Sequence, residues 1–255
     1  MVSNIFIVLE FVLVLLVLAR DTARRYVIFS IYLVVVFLGD VFWKFIGPAM
    51  GFNYEMAWYY KMFWMSDSLE HVLKILVMIS FYRIVLRGYR HLRLMVDCLF
   101  YAMSAVLLLI FLMNFNPSAT FLYNTSIYLG KYTFLFVSLV CTILLGLVAL
   151  AGIRIEKSFL LLLTGFLAFG LLQTLNFFYL SVDQNALSSF WRWCYKVSFR
   201  IPLLFWFAAV LVPQESEAGA FRWAGPGLQA QLAAGMTAMD RQAGRILKSL
   251  FPARP

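Results

Sequence analysis

Apolar residues run along this chain in blocks, broken by charge clusters or turns, and not at the short intervals of a water-facing helix or strand. Crossing a bilayer as a helix takes roughly 20 predominantly apolar residues. Seven blocks meet or approach that length: 3–19, 26–46, 58–86, 94–115, 127–153, 159–180 and 191–212. The expected fold is therefore all-α, a polytopic seven-transmembrane-helix bundle over residues 1–212. A Pro/Gly-interrupted linker at 213–227 follows, then a tail at 228–255 in which Leu228, Leu232, Met236, Met239, Ala243, Ile246, Leu247 and Leu250 recur at helical spacing. Gln231, Asp240, Arg241, Arg245 and Lys248 take the other faces, so the tail is predicted to be an amphipathic helix. With its basic end it suits the anionic inner leaflet, or the surface of a cytoplasmic partner.

The third block departs from the pattern. Tyr60, Trp64, Asp67, Glu70, His71 and Lys74 follow spacings of three and four, which puts them on one helical face. A charge at the bilayer centre costs about 2.5–3.5 kcal/mol on the mildest scale, so that face must look into the bundle. Glu70 with Lys74, and Asp67 with His71, are i, i+4 pairs able to offset part of the cost within the helix. The seventh block carries Arg192, Lys196 and Arg200 one turn apart, with Glu10, Asp40, Asp67 and Glu70 as candidate acidic partners on other helices. Asp40 can also pair locally with Lys44. Gln173, Thr174 and Asn176 add polar groups to the sixth block, and together these residues predict a polar cavity opening outward.

Composition supports the membrane reading. Hydrophobic residues make up 64% of the chain and charged ones 13%, against about 25% charged in a soluble domain. The distribution of Lys and Arg predicts orientation, because cytoplasmic loops accumulate them. Arg20, Arg24 and Arg25 follow the first block, Arg83, Arg87, Arg90 and Arg93 the third, and Arg154 and Lys157 the fifth, whereas 48–56, 116–126 and 181–190 carry none. The expectation is an N-terminus outside, a C-terminus inside, and a multi-pass protein of the cell inner membrane. Lys44, Lys61, Lys131 and Arg192 lie near the outer ends, where long side chains snorkel, and Trp43, Trp58, Trp191 and Trp193 crowd the same boundary. No basic residue precedes the first block, so it is expected to stay as a helix and not to be a cleaved signal. Cys98, Cys141 and Cys194 all fall within blocks, which implies no external disulfide framework.

Several chemistries lack their residues. Intramembrane zinc hydrolysis needs several His and carboxylate ligands, and the chain has only His71 and His91. No serine-nucleophile motif is present, and no motif surrounds Asp40 and Asp67 as an acid pair. No catalysis, cofactor, metal or nucleic-acid partner is expected. Lys196 and Asp67 resemble the retinal lysine and its acid in microbial rhodopsins, but Arg192 stands where those proteins carry Asp. Trp58-x-Tyr60-Lys61 and Trp193-x-Tyr195-Lys196 resemble a repeat of the kind in SWEET-type sugar transporters, but Pro202 is the one proline well inside a block. The stretch Trp58-Tyr59-Tyr60-Lys61-Met62-Phe63-Trp64-Met65-Ser66-Asp67, with the basic loop after it and the aromatic last block, is similar to uncharacterised seven-helix membrane proteins of acidobacterial genomes. That resemblance implies membrane location and helix count, and no substrate.

Intramembrane ionisable residues mark ligand or ion sites by default, or hold helix register as structural pairs. The expected ligand-binding set is Asp40, Tyr60, Trp64, Asp67, Glu70, His71, Lys196 and Arg200. The reading favoured by mixed-sign charge and few prolines is a small-molecule sensor or receptor-like module for a small polar ligand. A transporter or channel and a membrane scaffold are the alternatives.

Overall fold

The computed structural model describes residues 2–20, 22–51, 57–113, 119–151, 153, 155–182, 189–212 and 226–250, and their side chains except at 2–4, 57, 60, 99, 103–113, 119–128, 151, 177–182, 189–199, 226 and 250. These residues are almost entirely helical. A helix covers each apolar block: α1 (Val2–Ala19), α2 (Val27–Val41), α3 (Ala57–Val85), α4 (Arg90–Met113), α5 (Ala119–Ala151), α6 (Lys157–Val182) and α7 (Ser189–Leu211). The tail forms α8 (Pro226–Leu250), and a single helical turn (Thr22–Arg25) links α1 to α2.

Among the described residues, three stretches are long and apolar enough to cross a membrane, Val27–Ala49, Leu129–Leu150 and Lys157–Asn176, and Ile5–Ala19 and Arg200–Leu211 are shorter apolar helices. This is the chain of a membrane-embedded protein. The surface agrees, because Val8, Leu15, Ile31, Leu69, Leu139, Leu175 and Leu204 are all exposed, more apolar surface than water tolerates on a monomer.

The end of α2 is irregular for local reasons. A π-helical turn (Phe42–Ile46) inserts an extra residue, Pro48 begins the last short turn Gly47–Ala49, and Gly51 closes it at φ +78°, a left-handed position that glycine adopts without strain. Tyr59 presses on Gly47, where a Cβ would lie 3.2 Å from its ring.

Six helices close a ring. α1 packs on α2, α2 on α3, α3 on α5, α5 on α6, α6 on α7, and α7 returns to α1. Two glycines set the closest approaches, as small residues do where lipid gives helices no hydrophobic drive to associate. A Cβ on Gly170 would fall 2.6 Å from Ser138 Oγ on α5, and one on Gly165 would fall 2.7 Å from Trp206 Nε1 on α7. α4 stands outside the ring, reaching it at the end of α3, through the Phe100–Phe136 ring contact with α5, and through α8, which bridges α4 and α5.

Candidate functional site

The ring interior has two halves. Towards the end with Arg20, Arg83 and Lys157, it is filled by aromatic side chains: Phe29 and Tyr32 from α2, Phe81 from α3, Phe159 and Phe166 from α6 and Trp206 from α7, all buried. Their rings meet edge-on or tilted, with Phe29–Trp206 at 5.7 Å and Phe166–Trp206 at 4.9 Å between centroids, separations at which aromatic pairs attract. Polar contacts latch the same end. Arg25 donates to Glu156 at 2.6 Å, Tyr26 Oη donates to Glu156 at 3.2 Å, Arg20 donates to the Val210 carbonyl, and Arg83 Nε donates to Asp97 at 2.8 Å.

The other half is polar. α3 turns its apolar Met65, Leu69, Val72 and Leu76 outward and buries His71 and Lys74, at 1% and 3% exposure. Lys74 Nζ lies 3.6 Å from Glu70 Oε2 and sits over the rings of Phe134 (5.1 Å), Tyr32 (5.9 Å) and Phe169 (5.9 Å). Cation–π attraction from three rings adds to the ion pair at this buried position. His71 Nε2 lies 3.5 Å from Asp67 Oδ2, and its ring meets Phe134 edge-on at 5.4 Å. Both i, i+4 pairs expected from the sequence are therefore formed.

Four further helices contribute polar groups near this cluster. Glu10 of α1 is buried and approaches Asp40 of α2 at hydrogen-bonding range, with Lys44 and Glu70 within electrostatic reach. Gly39 makes room for the Glu70 carboxylate, Oε1 lying 3.7 Å from where a Cβ would sit. Thr133 of α5 and Gln173 and Asn176 of α6 are buried, and Asn176 Nδ2 donates to Gln173 Oε1 at 3.4 Å. The Tyr32 hydroxyl and Glu10 Oε2 are buried without a hydrogen-bond partner among the described residues. Tyr32 lies within electrostatic reach of Glu70, Glu10 and Asp40, so both atoms face the same group of acids, called the chamber below.

Of the residues singled out in the sequence, Asp40, Asp67, Glu70 and His71 lie around this chamber, and Trp64 packs edge-on against Phe63 at 5.1 Å on the same helix. Arg200 stacks its guanidinium 4.0 Å over the ring of Phe6 on α1, one turn from Glu10. α7, which carries Arg200, lies between α6 and α1 in the ring. The side chains of Tyr60, Lys196, Arg192 and Trp191 fall outside the described residues, as does the linker 213–225. Sequence spacing missed Tyr32 as a site residue, because a tyrosine in an apolar block reads as packing. It placed Lys74 only as a partner of Glu70. Among the described residues no cluster of His, Cys, Asp and Glu suits a metal ion.

No family model matches the chain, and no curated protein or solved structure matches it either.

Proposed function

We propose that this chain is a seven-span protein of the cell inner membrane, with its N-terminus outside and its C-terminus inside, that binds a small polar or charged molecule between its helices and acts as a non-catalytic sensor or receptor-like module. α8 would carry the output on the cytoplasmic side. The resemblance to acidobacterial seven-helix proteins is consistent with this helix count. The observation that carries the reading is a pair of buried groups, Tyr32 Oη and Glu10 Oε2, that have no hydrogen-bond partner among the described residues and lie beside a cluster of mixed charge. Buried polar atoms without partners are rare and costly, and a bound molecule with a donor for the carboxyl oxygen and a group for the hydroxyl would satisfy both. The aromatic core beneath the chamber favours binding over conduction, because a polar solute has no polar path through Phe29, Phe166 and Trp206.

A transporter is the second reading, favoured by Pro202. This proline is buried within α7 one turn from Trp206. It removes a backbone hydrogen bond from the helix, which makes a hinge at the plug.

Thermal unfolding of the lipid-reconstituted protein against a metabolite panel tests the proposal. A ligand at a hundred times its Kd adds about 2.7 kcal/mol of stability. Tyr32→Phe removes an unsatisfied hydroxyl, so the ligand-free protein is expected to be as stable as the wild type or slightly more so, while the ligand-induced shift falls. If no compound shifts the wild type and Tyr32→Phe alone destabilises it, the chamber is structural and the scaffold reading replaces the sensor. Solute flux into sealed vesicles would favour the transporter.

A further inference from the structure

A second cavity lies at the latched end, outside the ring. α4 meets α5 through Phe100 and Phe136, whose rings lie 5.4 Å apart, and with α8 across them the three helices leave a cavity of ≈ 280 Å³ whose lining is wholly apolar, with Val96 and Phe100 from α4, Ile143 and Leu144 from α5, and Met236 and Met239 from α8. We propose that this wedge binds one anionic phospholipid, with an acyl chain in the cavity and the phosphate on the arginines of the α4–α8 corner.

Three observations name the occupant. The cavity opens beside Ile143 and Met239, which are 53% and 51% exposed, and Leu139 one turn further along α5 is 58% exposed. The mouth is thus continuous with the apolar outer face of α5, and an occupant arrives from the hydrocarbon phase and not from water. The lining offers no hydrogen-bonding surface, which suits a methylene chain and excludes a polar metabolite.

Charge supplies the third. His91 Nδ1 lies 3.1 Å from Asp240 Oδ2, the Leu92 backbone N–H donates to Asp240 Oδ1 at 2.8 Å, and Gly244 packs against the His91 ring. Arg90 and Arg93 of α4 and Arg241 and Arg245 of α8 each stand next in sequence to a contacting residue, so both helices carry two cations at this corner. Asp240 is occupied by its two donors, and Asp97, within electrostatic reach of Arg93, already pairs with Arg83, so cations outnumber acids at this corner. Basic pockets between helices at a membrane surface recognise anionic headgroups in this way. A lipid here would bridge α8 to the bundle.

The full chain, purified in detergent and stripped of lipid, is titrated with dioleoyl-phosphatidylglycerol, with dioleoyl-phosphatidylcholine and with the soluble glycerophosphoglycerol headgroup, read by thermal unfolding and by native mass spectrometry. Phosphatidylglycerol is expected to raise the Tm with one lipid retained per chain, phosphatidylcholine to act more weakly and the headgroup alone not to act. Arg90→Gln with Arg241→Gln is expected to weaken phosphatidylglycerol binding about thirtyfold and to erase the preference between lipids. Leu144→Trp fills the cavity and is expected to displace the retained lipid. Ile143→Trp, at an exposed position, serves the same purpose if the first variant does not fold. Equal response to both lipids, stabilisation by the headgroup alone, or lipid retention unchanged in a folded tryptophan variant would overturn the proposal.

Discussion

Lys74 is buried to 3% exposure, yet it is held by one carboxylate and three aromatic faces. Removing one partner of a buried pair strands the other, at about 3–5 kcal/mol, whereas replacing both with groups of similar shape is often neutral. Lys74→Met is therefore expected to lower the unfolding free energy in lipid micelles by about 3 kcal/mol or more, and Lys74→Met with Glu70→Gln to recover most of it. A double variant no more stable than the single one would mean that Glu70 is held by other partners. At this scale the sequence was informative about pairs within α3, because i, i+4 spacing is local. It was silent about Phe134 and Phe169, which come from two other helices, and about the open hydroxyl of Tyr32.

Helix packing rests on small residues at a few crossings, and the glycines are not equivalent. Gly170→Val puts a side chain into Ser138 and the backbone of α5, so it is expected to cost about 1–3 kcal/mol, the usual range for overpacking. Gly146, also within α5, has nothing within 4 Å of where a Cβ would sit, so Gly146→Ala is expected to stabilise by roughly 0.5–1 kcal/mol through helix propensity. Chemical unfolding of both variants in one detergent checks the contrast, and equal effects would remove the assigned α5–α6 contact. The block boundaries read from hydropathy lie within about eight residues of the helix ends. The π-helical turn after Asp40 was not legible, since nothing in Phe42-Trp43-Lys44-Phe45-Ile46 distinguishes it from regular helix.

For the whole molecule, the tail is the element whose place most changes the picture. Its charge pattern suits a leaflet or a separate protein, yet its buried face is covered by the chain itself. Met236 and Ala243 pack against α4 and α5, while Leu228, Met239 and Ile246 remain exposed. Asp240 anchors it at the first turn of α4, where free N–H groups and the helix dipole favour an anion. The Leu92 N–H, and after it His91, hold the Asp240 carboxyl below the usual carboxylate range. A carboxyl depressed in the folded state contributes its full stabilisation above the ordinary value, roughly pH 4, and loses it as the pH falls through the lowered one. Hydrogen exchange of α8 is therefore expected to stay slow from about pH 7 to 5, after correction for the intrinsic rate, and protease cleavage of α8 to rise only below about pH 4. Asp240→Ala is expected to expose α8 at every pH, and unchanged protection in that variant would show that the apolar contacts suffice.

Hydropathy and charge determined by themselves that the chain is helical and belongs in a membrane, where its helices run, and which face of α3 is buried. These follow from local physics, since lipid demands apolar length and internal hydrogen bonding from each segment on its own. The tertiary structure decided which helices are neighbours. It set α4 outside a ring of six, brought Glu10 and Asp40 beside Glu70, drew Phe134 and Phe169 over Lys74, and turned α8 back onto the bundle. Helices with equally apolar outer faces have no hydrophobic preference for one neighbour over another, so glycine contacts, aromatic edges and buried charge choose among them.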